Sequence, residues 1–242
     1  MENHRDMTLG EQFAAAQDWW REAGVDFDFT DEVQVMLADE AEAAAVAAPT
    51  AQAAKVVEDE PAPPKLAKAD LPDDLDAFRN WWSGADNPFA NGTAVPPRGS
   101  AQAQVMVLVP MPEADDGDSL LAGAQGRLVS NMLAAAGVPA EAAYLASALP
   151  WHMPLPDWET MHSEGLGTAI SHHVELAAPQ RVILFGSKMP ALFGHDPAAP
   201  PEAFTRIGNV PVLTTFAPDR LLDHARQRAR LWRRLLEWTA NA

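Results

Sequence analysis

Four groups of residues in this chain could do chemistry. Glu113, Asp115, Asp116 and Asp118 form an acidic run just after an apolar stretch at 105–109. A carboxylate beside a reacting carbon can orient water and offset developing positive charge. Gly186-Ser187-Lys188 follows a second apolar stretch. A helix that opens on a serine and a lysine favours phosphate, although a glycine turn with a capping serine explains the same residues without a ligand. His162, His172 and His173 invite a metal, with Asp157 and Glu159 as further ligands. On one helix 162 and 173 share a face while 172 and 173 point apart, so surface histidines are the simpler reading. Arg220, Arg226, Arg228, Arg230, Arg233 and Arg234 crowd the C-terminal stretch, as phosphate contacts or as a solvated helix face. Neither a Gly-x-Gly-x-x-Gly nor a Walker sequence occurs, which argues against nucleotide hydrolysis. No His/Asp pair is spaced to activate Ser187 as a nucleophile.

Positioning these groups requires a strand–helix series. Short, continuous apolar runs at 104–109, 143–148, 181–185 and 210–215 read as strands of a parallel sheet buried on both faces. Helical patterns alternate with them at about 120–136 (stopping at Gly137), 161–177, 187–193 and 219–239. Alternation of this kind implies a three-layer α/β/α domain with a central four-stranded parallel sheet. Ligands in such sheets sit at the carboxyl ends of the strands. Asp70, Pro72, Asp73 and Asp74 mark a helix N-terminus, with Leu75, Phe78, Trp81 and Trp82 on its buried face. The domain is therefore expected to span 71–242, with a Gly-, Asn- and Pro-rich loop over 83–99.

Upstream, 1–37 reads as a helical and acidic segment. Thr8 caps a helix to about Ala23, with Glu11 completing a capping box. Phe13, Ala16, Trp19, Trp20 and Ala23 form one stripe, which docks on the domain or binds a protein partner through residues 8–37. Residues 38–70, rich in Ala, Glu and Pro, read as a flexible disordered linker.

Charge and composition set limits. The chain of 242 residues carries −17, but unevenly: 1–76 hold 19 acids and 5 bases, whereas 77–242 hold 15 acids and 12 bases, a net of only −3. The acidity thus belongs mainly to the N-terminal segment and does not exclude a DNA partner for the domain. Zero cysteines exclude disulfides, thiolate zinc and cysteine-ligated iron–sulfur clusters. No apolar run is long enough for a membrane span, and no secretory signal is visible, so a cytoplasmic location without membrane contact is expected.

Taken in order, these stretches resemble the uracil-DNA glycosylase superfamily, most closely its family-four type. The resemblance covers about 70–240. Where the family has Gly-Glu-Ala-Pro-Gly after its first strand, this chain reads Val109-Pro110-Met111-Pro112-Glu113. Pro112 matches, and Pro110 stands where the family's acid helps the attacking water. Glu113 is a candidate substitute, although three residues shift it by roughly 10 Å along an extended chain. Leu120-Leu121-Ala122-Gly123 falls on the segment whose aromatic ring stacks on the flipped base, with Leu121 in the ring's place. Tyr144-Leu145-Ala146-Ser147 matches Tyr-Ile-Thr-Asn, with Ser147 replacing the amide that reads uracil. Leu149-Pro150-Trp151-His152-Met153-Pro154 resembles Pro-Trp-Arg-Pro-Pro without its arginine. Gly186-Ser187 matches the third turn. Thr215-Phe216-Ala217-Pro218 matches Thr-Phe-His-Pro, with Ala217 in place of the histidine that stabilises leaving uracil.

The resemblance implies a uracil-DNA glycosylase-like fold and a base-excision hydrolase that binds single-stranded or uracil-containing DNA. Its base pocket would involve Met111, Pro112, Leu121 and Ser147. Ser187, Lys188, Pro218 and Arg220 would meet the DNA backbone. The exchanged residues imply weak or absent catalysis, with no cofactor required for the chemistry. The alternative is a non-catalytic module, binding DNA or a repair protein on the same fold. The family's iron–sulfur cluster has no ligands here, and Trp81, Trp82 and Trp151 are the candidates to fill its space.

Overall fold

The structure is a computed structural model that describes residues 65–240. The expected helix and acidic segment at 1–37, and the linker as far as residue 64, lie outside the described residues.

Four apolar runs form parallel strands: β1 (Val105–Val109), β2 (Ala143–Ser147), β3 (Val182–Phe185) and β5 (Val210–Thr215), with β4 (Arg206–Ile207) preceding β5. Their order across the sheet is β2-β1-β3-β5-β4. Val107 lies between Leu145 of β2 and Ile183 of β3, and Ile183 pairs in turn with Leu213 of β5. The expectation of four parallel strands needs one correction, because a fifth joins the edge. Short β4 pairs antiparallel with β5 through Ile207 and Val210, making the sheet mixed. Two residues are too few to show an alternation, so β4 leaves no signal in the sequence.

Side chains alternate across this sheet and supply two cores. Met106, Leu108, Val182 and Leu184 enter one core. Val105, Val107, Val109, Ile183 and Phe185 enter the other. Helices α1 (Leu75–Ser83) and α4 (Leu166–Ala177) cover the first face through Phe78, Trp82, Ile170 and Val174. Helices α2 (Ala124–Ala135) and α6 (Ala225–Ala240) cover the second through Val129, Leu133, Leu231 and Leu235. Each buried aliphatic side chain contributes about 1.5–3 kcal/mol, and both faces are needed because each strand is apolar throughout.

Element ends have local causes. Helix α1 starts later than Asp70 and Pro72 suggest, because Asp74 is the residue whose carboxylate accepts from Ala77 N at 2.8 Å. The helix expected over 161–177 is two, α3 (Trp158–Glu164) and α4, hinged at Gly165 with φ 99°. A Cβ on Gly165 would fall 2.8 Å from Leu66 Cβ, so both the φ and the contact require glycine. Leu66 belongs to a strap that composition alone assigns to the linker. Leu66 N donates to Glu164 O at 3.2 Å, and Lys68 pairs with Glu175. The last expected helix also divides, into α5 (Pro218–Asp223) and α6. Arg228 Nη1 donates to the carbonyls of Leu221 and Leu222 at 2.6 and 2.7 Å, closing the end of α5.

The histidines do not gather. His162 lies on α3 and His172 and His173 on α4, and among the described residues no group of three or more acids and histidines is placed to hold a metal. His172 Nε2 meets Pro72 O at 2.8 Å. His173 is buried between Phe78 and Tyr144, whose hydroxyl lies 2.7 Å from its Nε2. Arg79 Nε donates to that hydroxyl at 3.2 Å, which leaves its O–H able to donate to Nε2 of a neutral imidazole. Burial, then the charges of Arg79 and His172, pull His173 down to about 3. Burial pushes the Tyr144 phenol up, with Arg79 opposing it.

No helix among the described residues is long and apolar enough to cross a membrane.

Candidate functional site

Parallel pairing places the carboxyl ends of β1, β2, β3 and β5 along one edge. The chain goes from β1 to its neighbour β2, then crosses to β3 on the other side of β1. The crevice at that reversal is the place where such sheets take ligands. Its walls are Pro110, which follows β1, and Gly186, which follows β3 with φ 106°. A Cβ on Gly186 would lie 2.9 Å from Pro110 Cγ and 2.9 Å from Met189 Cγ. The half-buried proline ring therefore rests on the glycine and presents hydrocarbon to the crevice. Leu149 N donates to Pro110 O at 3.0 Å, which ties this residue to the end of β2. Pro110 offers neither a proton acceptor nor a charge to an attacking water.

Glu113 is engaged elsewhere. Its Oε1 accepts from Gly123 N and Gly126 N, and its Oε2 from Gln125 N, all at 3.1 Å. These are the amides at the start of α2, so the carboxylate satisfies them and complements the helix dipole. Asp116 does the same for the preceding turn, accepting from Glu113 N, Leu121 N and Ala122 N at 2.7–2.9 Å. It holds Leu121 at φ 56°, a left-handed conformation unusual for leucine. The acidic loop is thus a fastening for α2, and the carboxylate of Glu113 is turned to backbone amides.

The other expected positions divide. Met111 packs against the first core and Leu121, buried, belongs to the second; the two do not form one wall. Pro112 is buried and its carbonyl lies 2.9 Å from His152 Nδ1. Ser147 is only 2% exposed. Ala217 precedes α5 with no side-chain cap, and Pro218 is buried in its first turn. By contrast Ser187, Lys188 and Arg220 are exposed. Trp82 is buried against Phe78, and Trp151 Nε1 donates to Phe89 O at 3.0 Å, so both fill the region beside α1.

Ser187 stands at the junction of two clefts. One, of about 130 Å³, lies between the β5 tip and α6 and includes Glu202, Thr215, Gln227, Arg230 and Arg234. The other, of about 740 Å³, lies beyond Ser187 and Lys188 and includes Trp158, Asp157, Glu159 and Asp196. Ser187 and Pro201 line both. Sequence reasoning singles out the arginines of α6 but misses Trp158, Glu202 and Gln227. Helical spacing is the signal that could have found one of them: Gln227, Arg230, Leu231 and Arg234 recur every three or four residues, one stripe of α6. No protein-family model matches the chain, and no curated protein matches it either.

Proposed function

We propose that this chain is a uracil-DNA glycosylase-like protein, on a three-layer α/β/α fold, that has lost competent hydrolysis and keeps a DNA-binding role in base excision. The observation that carries this reading is the Pro110 ring packed on Gly186 in the crevice between β1 and β3. A glycosylase needs a carboxylate there to orient its water, and Pro110 supplies none. Ala217 offers no charge to a leaving base, and Glu113 is bonded to the start of α2. Losing one such group costs about 10²–10³ in rate; here three positions differ, Pro110, Ser147 and Ala217. Exposed Ser187, Lys188 and Arg220 at the strand tips, with Arg226 and Arg233 on α6, supply donors for backbone phosphate.

The deciding measurement is release of uracil from a labelled single-stranded oligonucleotide at high enzyme concentration. Wild-type protein is expected to show no turnover above background, and a Pro110→Glu/Ala217→His variant a measurable gain. Robust wild-type turnover would overturn the reading. A gel shift across a salt series tests binding separately: affinity should fall steeply with salt, and no shift at low salt would remove the DNA partner in favour of a protein one.

A further inference from the structure

The cleft between β5 and α6 holds two guanidinium groups, of Arg230 and Arg234, and one carboxylate, of Glu202. Arg230 Nη2 lies 3.0 Å from Glu202 Oε1, so that carboxylate answers one guanidinium. Arg234, half-buried in the same wall, donates its Nη1 to the neutral carbonyl of Thr214 at 2.7 Å. No carboxylate among the described residues pairs with it, and its Nε and Nη2 are left without a partner there. Burial pulls this guanidinium below its ordinary value, while the charges of Glu202 and then Glu237 push the other way. The remaining donors of this half-buried guanidinium are open to an anionic ligand, which partial burial lets it hold more strongly than a fully exposed arginine would. Ser187, Thr215 and Gln227 line the same space together with the apolar Pro201, Phe216 and Leu231, and about 130 Å³ suits one small oxyanion.

We propose that this cleft seats the terminal phosphate of a nucleotide, and that the sugar and base pass Ser187 and Pro201 into the larger cleft beside Trp158. The guanidinium fork of Arg234 matches two phosphate oxygens. Glu202 opposes an anion in this space, and its ion pair with Arg230 offsets that opposition. Beyond Ser187 the lining changes sign. Lys188 is joined by Asp157, Glu159 and Asp196, which repel a second phosphate yet accept hydrogen bonds from sugar hydroxyls. Trp158 offers a face for a base, and stacking of this kind tightens binding of a nucleotide relative to phosphate alone. One phosphate followed by an uncharged moiety fits this sequence of walls, whereas the interior of a nucleic-acid strand does not. The shared chemistry is a nucleotide with a terminal phosphate, from a free mononucleotide or a phosphorylated strand end. The inference goes beyond the DNA-binding reading and stands without it.

The test uses the full chain and follows the Arg234 Nε–H and Ser187 amide signals by NMR. Titrants are a nucleoside 5′-monophosphate, the parent nucleoside, and a hexanucleotide with and without a 5′-phosphate. The monophosphate should move both signals saturably and the nucleoside neither. Glu202→Gln should tighten monophosphate binding several-fold by removing the opposing charge. Arg230→Gln, whose side chain bonds only Glu202 among the described residues, should weaken it about tenfold or more by freeing that carboxylate. Arg234→Gln should abolish it, but that variant also loses the bond to β5, so the opposite signs at 202 and 230 are the decisive result. Tighter binding of the phosphorylated hexanucleotide than of the mononucleotide assigns the source to a strand end; the reverse assigns it to a free nucleotide. Unmoved signals at roughly 1 mM monophosphate, or a Glu202→Gln protein that binds no tighter, would overturn the proposal. Failure of the unphosphorylated hexanucleotide alone bears on the DNA-binding reading and leaves this one intact.

Discussion

Two neighbouring places on the same edge of the sheet have opposite characters. After β1 the free amides at the start of α2 are bonded by the chain's own carboxylates, Glu113 and Asp116, and a proline ring packs on Gly186 of β3's turn. Between β5 and α6 an open cleft is lined by Arg230, Arg234, Gln227, Ser187 and Thr215 beside apolar Phe216 and Leu231. The parallel strands provide both places by geometry alone. Side chains decide what each offers, and a single residue such as Pro110 removes the reactive group from the one that the topology favours.

This contrast can be broken or sharpened experimentally. The packed side should be intolerant of added atoms. A Cβ on Gly126 would fall 1.8 Å from Leu121 O, a backbone atom. Gly126→Ala is therefore expected to cost about 3 kcal/mol, seen as a large fall in thermal midpoint. An unchanged midpoint would mean that the turn around Leu121 is loose and the contrast in packing false.

Next in size is acid sensitivity in the layer beneath β2. The folded imidazole of His173 titrates at about 3, against 6.5 when free. Below 6.5 the unfolded chain takes a proton that the folded one refuses. Stability is thus full above 6.5 and falls by about 1.4 kcal/mol per pH unit as acid is added, towards about 3. Denaturant unfolding from pH 7 to 4 checks this. A His173→Gln variant, which keeps an acceptor for Tyr144 but does not titrate, should flatten the slope; an equally steep one assigns the loss to other groups.

Glu113→Ala should cost about 1–2 kcal/mol, because three amides at the start of α2 lose their acceptor. Its effect should appear as faster amide exchange at 123–126, with uracil release unaltered. Release by the wild type that disappears in this variant would return Glu113 to the chemistry. The smallest effect belongs to the open side: Arg226→Gln and Arg233→Gln should each move stability by less than about 0.5 kcal/mol. If α6 meets DNA, each should lower the salt slope of binding by about one. An unchanged slope in both would confine any nucleic-acid contact to the tip residues.

How much is legible in the chain alone follows from the range of each interaction. The apolar runs locate β1, β2, β3 and β5 within a residue, because burial on both faces leaves a local mark. Gly165 reads as helix interior, since a glycine inside a periodic pattern costs only about 1 kcal/mol and its true reason is Leu66, far away in sequence. Glu113 looks like a free acid for a similar reason. Its partners at 123–126 are identified by a fold-back that no spacing rule encodes. Arg234 is visible as a basic helix residue, but that Glu202 forms its ion pair with Arg230 and not with Arg234 depends on the fold.

The strap at 65–70 determines where this domain can be cut. Leu66 fills the bend at Gly165, and Lys68 reaches Glu175 on the following helix. A fragment begun at Leu71, the boundary that composition suggests, would leave that bend uncovered and expose the apolar seam between α3 and α4. Expression of the body on its own should start upstream of Lys65.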